Sequence, residues 1–320
     1  LAIEAKGRSA FALQYQLDTS LSDAERYPLK LHDLIVFSTN PEKAPRTLQW
    51  GRHTDRLNII RDIPNLGFSG DHFLRPLFAD KDWVDYDQVI IFVDPAGRGK
   101  DETAWWVLGQ LNGLIYGIHM GHEVADPAEA MWAIANDVKT YKAREVIVEP
   151  NYGQGMWVAA FQPILAKVYN GHCSVKESAW AKGQKEVRII DTLEPVLSSH
   201  RLVINEEILR KDAKEDERVY SFAYQLTHIT RERNCLSRDD RVDSLAGGVA
   251  YYMASMTADP RKARMDQIAT EKEQLVEKFE ESLNGSGRLW QGRRLVLDEF
   301  DEAVWTRPDQ WDRVDDVEWA

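Results

Sequence analysis

The sequence is short of the features that would place it in several large classes. It has two cysteines in 320 residues, Cys173 and Cys235. That is too few for a disulfide framework, and they form no CxxC pair of the kind that holds zinc, so they read as reduced thiols. Apolar runs such as Val89-Ile-Ile-Phe-Val93 fall far below the ~18–20 residues of a membrane span. No secretory-type segment stands at the start. Glycine and proline, 19 and 12 residues, are too sparse for a collagen-like or low-complexity chain. The chain carries no GxxxxGK[ST] loop, because Gly97-Arg-Gly-Lys100 runs into Asp101 without the spacing that cradles nucleotide phosphates. Positive charge is also in deficit: 40 Lys and Arg stand against 52 Asp and Glu, a net −12. That balance argues against tight non-specific nucleic-acid binding through the whole surface. The first residue is Leu1, which fits a piece of a longer polypeptide.

What is present is a globular composition, 43% hydrophobic and 29% charged, in a chain long enough for one large domain with attachments. The negative charge is concentrated, with nine acidic and two basic residues between Val296 and Ala320. The rest of the chain can therefore carry a local basic face, and equally a carboxylate cluster that needs a divalent metal. Eleven tryptophans are scattered along it. Trp105 and Trp106 would alternate faces on a strand, as core residues rather than base-stacking ones.

Residues 1–60 are polar with isolated apolar pieces such as Leu31-His-Asp-Leu-Ile-Val-Phe37, and read as the end of something or a linker carrying one strand. A loop-like stretch, 61–84, precedes a densely patterned block at 85–256. Gln88-Val-Ile-Ile-Phe-Val93 suits a strand buried on both faces. Two further strands, 103–108 and 114–119, flank Asn112-Gly113, a strong hairpin signal. Asp126-Pro127 then opens a helix whose face is marked by Ala130, Ile134 and Val138. Short strands at 145–148 and 174–176 alternate with helices at 155–169 and 185–197. Leu202-Val-Ile204 reads as one more strand, and an apolar helix over 239–254 opens with acids, as the helix dipole favours. Three antiparallel strands followed by alternating helices and strands predict an α/β fold: a ribonuclease H-like mixed five-stranded sheet flanked by helices on both faces, the strand at 145–148 lying parallel to the first by a right-handed crossover. Residues 257–320 read as a charged helix followed by an acidic, tryptophan-bearing docking tail.

This fold would bring three groups of carboxylates together. Asp94 ends the first strand and Glu149 the strand expected beside it, about 5 Å away, at the carboxyl edge where open α/β sheets gather ligands. Asp239, Asp240 and Asp243 open the long helix, at i,i+3 and i,i+4 spacings that let at least two share a face. Clustered acids repel unless hard divalent cations neutralise them. Two such ions ~3.5–4 Å apart stabilise both the attacking and the leaving oxygen of phosphodiester hydrolysis. Taken singly, each acid reads better as a turn or cap residue; taken together, they point to metal-activated phosphodiester cleavage. Arg98, Lys100, Lys182, Lys185 and Arg188 are candidates for a rim that contacts backbone phosphates. His119 and His122 form an HxxH pair that would not converge on one metal from a strand.

Val93-Asp-Pro-Ala, Ile147-Val-Glu-Pro-Asn-Tyr-Gly153, Lys185-Glu-Val-Arg-Ile189 with Leu193-Glu-Pro195, and Asp239-Asp-Arg-Val-Asp-Ser-Leu245 together resemble the large terminase subunit of tailed bacteriophages, in particular the DNA packaging protein (DNA maturase B) of short-tailed phages. The likeness covers about residues 85–256, and Phe11-Ala-Leu-Gln-Tyr-Gln-Leu17 resembles the end of that family's N-terminal ATPase domain, giving 1–60 that assignment. The resemblance implies an endonuclease that cuts concatemeric double-stranded DNA as the genome is packaged into the procapsid. It implies Asp94, Glu149 and Asp240 as the catalytic, metal-binding triad, with Asp239 and Asp243 as further ligand candidates, and Lys185 and Arg188 as a basic pair near the cut strand. The implied cofactors are two Mg²⁺ or Mn²⁺ ions, with ATP needed only by the longer protein that carries a P-loop and drives DNA translocation. The implied partners are double-stranded DNA, the portal protein and procapsid, the small terminase subunit and further copies in a ring, in the host cell cytoplasm and with no membrane. Two other readings remain open on the residues alone: a nucleotide-binding domain of the actin and sugar-kinase kind, which needs a duplicated second domain, and a non-catalytic module that docks on a portal.

Overall fold

The structure is a computed structural model. It describes residues 26–258, apart from 54–56, 65–66, 69, 97–101, 125, 151–154 and 180–182, together with 294–297 and 303–306. The chain divides into two compact units, Leu1–Ala258 and Asp259–Ala320.

The first unit is built on seven strands. β6 (Gln88–Asp94), β7 (Thr103–Leu111) and β8 (Leu114–Glu123) run antiparallel. The turn between the last two is Asn112-Gly113, both residues at positive φ, 49° and 79°, the backbone that a tight hairpin needs and that Asn and Gly tolerate best. Helix α1 (Pro127–Tyr141) begins at Asp126, whose side chain caps the amide of Ala128, and leads into β9 (Glu145–Val148). β9 lies parallel to β6, pairing Phe92 with Ile147 and Val93 with Val148. After α2 (Met156–Val168), β10 (Ser174–Glu177) adds to the far side of β9. These are the five expected strands, in the order β8-β7-β6-β9-β10.

Two more strands widen the five-stranded sheet to seven, one at the expected Leu202–Ile204 and one in the stretch before residue 60 that reads as carrying a strand. Following α3 (Lys185–Ser198), β11 (Leu202–Asn205) pairs with β8, and β1 (Ile35–Phe37) pairs with β11, both in parallel. The stretch before residue 85 thus contributes a strand to the sheet and side chains to its core. Leu29, Leu31, Leu34, Val36, Ile60, Ile63 and Phe73 belong to the same buried cluster as the centre of the sheet. Small two-stranded pairings complete this flank: β2 (Lys43–Pro45) with β5 (Trp83–Asp85), and β3 (Leu48–Gln49) with β4 (Phe78–Ala79). Phe11–Leu17, the segment that resembled an ATPase terminus, lies outside the described residues.

Strand periodicity sorts the core into two layers. Ile91, Val93, Trp105, Val107, Val146 and Val148 face α1 and α2. Ile90, Phe92, Trp106, Leu108 and Ile147 face the other way, against α3, α5 (Phe222–His228) and α6 (Asp240–Ala258). The paired tryptophans are thus core residues of opposite layers. A short helix, α4 (Glu206–Asp212), follows β11. In the second unit, β12 (Arg294–Leu297) and β13 (Ala303–Thr306) form an antiparallel pair. Among the described residues, no helix is long and apolar enough to cross a membrane.

Candidate metal centre

The same alternation that builds the core aims two acids at one place. Asp94 follows Phe92 by two residues and Glu149 follows Ile147 by two, so both project towards the layer that holds α3 and α6. The ladder continues to this point, the amide of Glu149 donating to the carbonyl of Val93 at 2.9 Å. From α6 comes Asp243. One oxygen from each of Asp94, Glu149 and Asp243 lies within 4.8 Å of the others, and all three residues are buried.

The third member of this cluster is Asp243, where the family resemblance implied Asp240 first and gave Asp243 as a further candidate. Helical side chains lean back towards the helix N-terminus, so a residue one turn into α6 reaches the strand ends. Asp240, the first residue of the helix, stays near enough for its charge to act on Asp94 but is outside the tight group. Asp239 is drawn to Lys185, whose Nζ lies 2.9 Å from its Oδ1.

Two cations from α3 face the acids. Lys185 Nζ also lies 2.9 Å from Asp243 Oδ2 and 3.9 Å from Asp94 Oδ2. Arg188 Nη2 donates to Glu149 Oε1 at 3.0 Å and to Asp243 Oδ1 at 3.2 Å. Their spacing of three residues puts both on the inner face of α3. Arg98, Lys100 and Lys182, the other rim candidates, lie outside the described residues.

Burial, reinforced by the charge of Asp243, raises the carboxyl of Asp94 well above its ordinary range despite Lys185. Burial likewise pushes Asp243 up to about 6, with Lys185 opposing the shift and Glu149 adding to it. Burial works against the charge of Lys185, but Asp243, Asp94 and Asp239 outweigh it and hold the ammonium form. The site is therefore overloaded with negative charge, which is the condition a hard cation relieves. The donor set fits such an ion: oxygen ligands only, tightly grouped. In addition, Glu149 Oε2 is buried with no hydrogen-bond partner among the described residues.

Sequence reasoning missed the support behind this cluster. Arg241 lies between the acids of α6, yet it is 1% exposed and pairs with Glu102. The available signal was its place on the buried stripe of the helix, at i, i+4 and i+7 with Leu245 and Gly248. His119 and His122 go to separate partners, Asp137 on one side and Glu102 and Glu215 on the other. Both cysteines are free thiols.

Comparison with known proteins relates the chain to one family. Residues 93–202 match the family model of the ribonuclease H-like domain of the bacteriophage T7 terminase. Over 280 residues, 85% of its length, the chain is 39% identical to the large terminase subunit of Enterobacteria phage T3, of which it spans 47%, about half. Solved structures with lower similarity include the large terminase of a thermophilic bacteriophage (14% identity, TM-score 0.34, 52% of this chain and 40% of that one). The manganese-soaked human cytomegalovirus terminase nuclease domain is another (12%, 0.37, 52% and 83%). A third is the nuclease domain of the large terminase subunit gp2 of bacterial virus Sf6 (11%, 0.36, 52% and 90%).

Proposed function

Because residues 93–202 belong to the terminase ribonuclease H-like family and the chain is a relative of a phage large terminase subunit, we propose that it is the metal-dependent endonuclease part of such a subunit, cutting concatemeric double-stranded DNA as the genome is packaged. The observation that carries this reading is the convergence of Asp94, Glu149 and Asp243, from three distant stretches of chain, within 4.8 Å at the carboxyl edge of the sheet.

In this reading the three carboxylates would hold two Mg²⁺ or Mn²⁺ ions, with Asp240 and Asp239 beside them. When bound, the ions supply an activated water and stabilise the charge that develops on the phosphate. The chain's own residues hold that arrangement. Asp94 and Glu149 are fixed by neighbouring strands of one ladder, so their separation is set by the sheet. Asp243 closes the site from the helix above. Lys185 and Arg188 neutralise part of the carboxylate charge and stand where the backbone phosphates of a cut strand would meet positive charge. Arg98, Lys100 and Lys182 would extend that contact.

The longer relative's part without a counterpart here is where ATP-driven translocation would reside, since this chain lacks a P-loop. The portal, the procapsid, the small subunit and a ring of copies are the partners this role requires, in the host cytoplasm. The kinase-like alternative needs a second copy of the fold, and the described residues contain one such sheet.

Nicking of supercoiled plasmid tests the proposal. Cleavage is expected with Mn²⁺ or Mg²⁺ and none in chelator, and Asp94→Asn and Glu149→Gln should each abolish it while leaving the far-ultraviolet spectrum unchanged. Cleavage that survives both substitutions would sink the assignment.

A further inference from the structure

Behind the acid cluster, on the opposite side of the first turn of α6, lies a second and wholly different charged group. Arg241 is buried, and its guanidinium grips Glu102 with two bonds, Nε to Oε1 at 2.8 Å and Nη2 to Oε2 at 3.2 Å. Nη1 points at Glu215 (3.3 Å) and Asp212 (3.7 Å). Glu102 and Asp212 are themselves buried. Asp212 is fully committed elsewhere, accepting from the Ser221 hydroxyl and from the amides of Phe222 and Ala223 at the start of α5. His122 sits between Glu102 and Glu215, 3.6 and 3.7 Å away.

This group has a mechanical relation to the metal centre. Glu102 immediately precedes β7, whose Ala104 is the cross-strand partner of Asp94. Arg241 is two residues before Asp243 on α6. The ion pair therefore ties the turn that carries Asp243 to the strand beside Asp94. Other bonds to this turn set a different coordinate: Trp106 Nε1 donates to the Arg241 carbonyl at 2.8 Å and the Val242 amide to Gln225 Oε1 at 3.2 Å. These fix how deep the helix start sits over the sheet. The two-pronged guanidinium–carboxylate contact fixes how the turn is rotated, because a planar fork tolerates little angular error. A buried ion pair is a poor source of net stability, since desolvation offsets most of the attraction. Its presence here is better explained by geometry than by stability.

We propose that Arg241, held by Glu102, is a positioning residue of the metal centre: it orients the first turn of α6 so that Asp243 faces Asp94 and Glu149. The inference rests on the metal-site reading given above. It is tested by calorimetric titration of Mn²⁺ into the metal-stripped 320-residue chain and its variants, a readout independent of cleavage. Glu102→Gln preserves shape and one acceptor oxygen; Arg241→Lys preserves charge but not the fork. Both are expected to weaken Mn²⁺ binding, by up to the roughly 10–100-fold that losing a ligand's own hydrogen-bond partner costs, because they let the turn that carries Asp243 rotate. The double variant should be no weaker than the poorer single one, as for two halves of one contact. Val203→Ala, a core truncation in β11 away from the site, serves as the control for destabilisation alone and should leave Mn²⁺ affinity at the parent level. Parent-like affinity in a folded Glu102→Gln or Arg241→Lys protein would overturn the positioning role by itself. Absence of Mn²⁺ binding by the parent chain would instead overturn the metal-site reading, and this role with it.

Discussion

Three acids within five residues, Asp239, Asp240 and Asp243, look interchangeable on paper, and packing gives them different surroundings. Asp243 is 0% exposed and belongs to the tight cluster, whereas Asp239 is partly exposed and bound to Lys185. Asp243→Asn should therefore lower metal-dependent cleavage by more than the roughly 10–100-fold that an outer partner costs, and Asp239→Asn by less. Single-turnover nicking rates at saturating Mn²⁺ separate the two, and equal losses would contradict the geometry. Spacing alone could not choose between Asp240 and Asp243, because i,i+3 places both on one face and says nothing of where along its length the helix meets the strand ends. Far from this site, Asp71 offers a residue-scale test with a different readout. Burial opposes its charge, but the His32 ring and the amides of Leu31 and His32 bond to it and hold its carboxyl below the ordinary 3.8. A folded-state value below the unfolded one contributes stability above pH 3.8 that is lost as the pH falls through the folded-state value. Asp71→Asn should accordingly lower the urea midpoint at neutral pH, by the equivalent of about 1–3 kcal/mol. The gap to the parent should hold down to about pH 5 and close only below the ordinary carboxyl value.

Among the elements, α6 does the most for the site, and what fixes its approach to the sheet is an absence of side chain. A Cβ on Gly247 would stand 2.2 Å from the Phe92 ring, and one on Gly248 2.2 Å from Leu108 Cδ1. The helix therefore lies directly on β6 and β7, which is how its first turn reaches Asp94. Alanine in place of Gly247 would favour the helix by roughly 1 kcal/mol in an exposed setting. Here overpacking should win, costing about 1–3 kcal/mol, and the displaced helix should also bind Mn²⁺ more weakly. An unfolding midpoint equal to or above the parent's would show that the helix stands further off than described. Most elements of this domain were legible because their signals were local: the apolar run at 88–93, the Asn112-Gly113 turn, the Asp126-Pro127 cap. A strand was also expected around Leu31–Phe37, but its place in the main sheet was not legible, since its partner is about 170 positions away. The buried pairing of Arg241 with Glu102 was hidden for a related reason, as 139 positions separate them and each looks like surface charge in its own neighbourhood.

For the molecule as a whole, the decisive question is where the cooperative unit begins and ends. Both hydrophobic clusters of the described residues are drawn from positions between Leu29 and Met253, and the contact pattern breaks at Ala258. At the other end the unit includes residues that the family resemblance gave to the end of an N-terminal ATPase domain. Leu31, Leu34 and Val36 are 0% exposed, and β1 covers the edge of β11. Removing three such side chains costs roughly 2–5 kcal/mol each, comparable with the whole stability of about 5–15 kcal/mol of an ordinary domain, before the newly exposed strand edge is considered. A chain ending at Ala258 should then keep its main unfolding transition within about 2–4 °C of the parent's, a change of no more than ~1 kcal/mol, together with Mn²⁺-dependent nicking. A chain beginning after Phe37 should lose the cooperative transition and the nicking together, even though every residue of the acid cluster is still present. Differential scanning calorimetry of the two truncations, run beside the plasmid assay, decides it. If the shorter N-terminal truncation melted like the parent, β1 would be an appendage to the sheet, and the smaller five-stranded core drawn from the sequence would be the true folding unit.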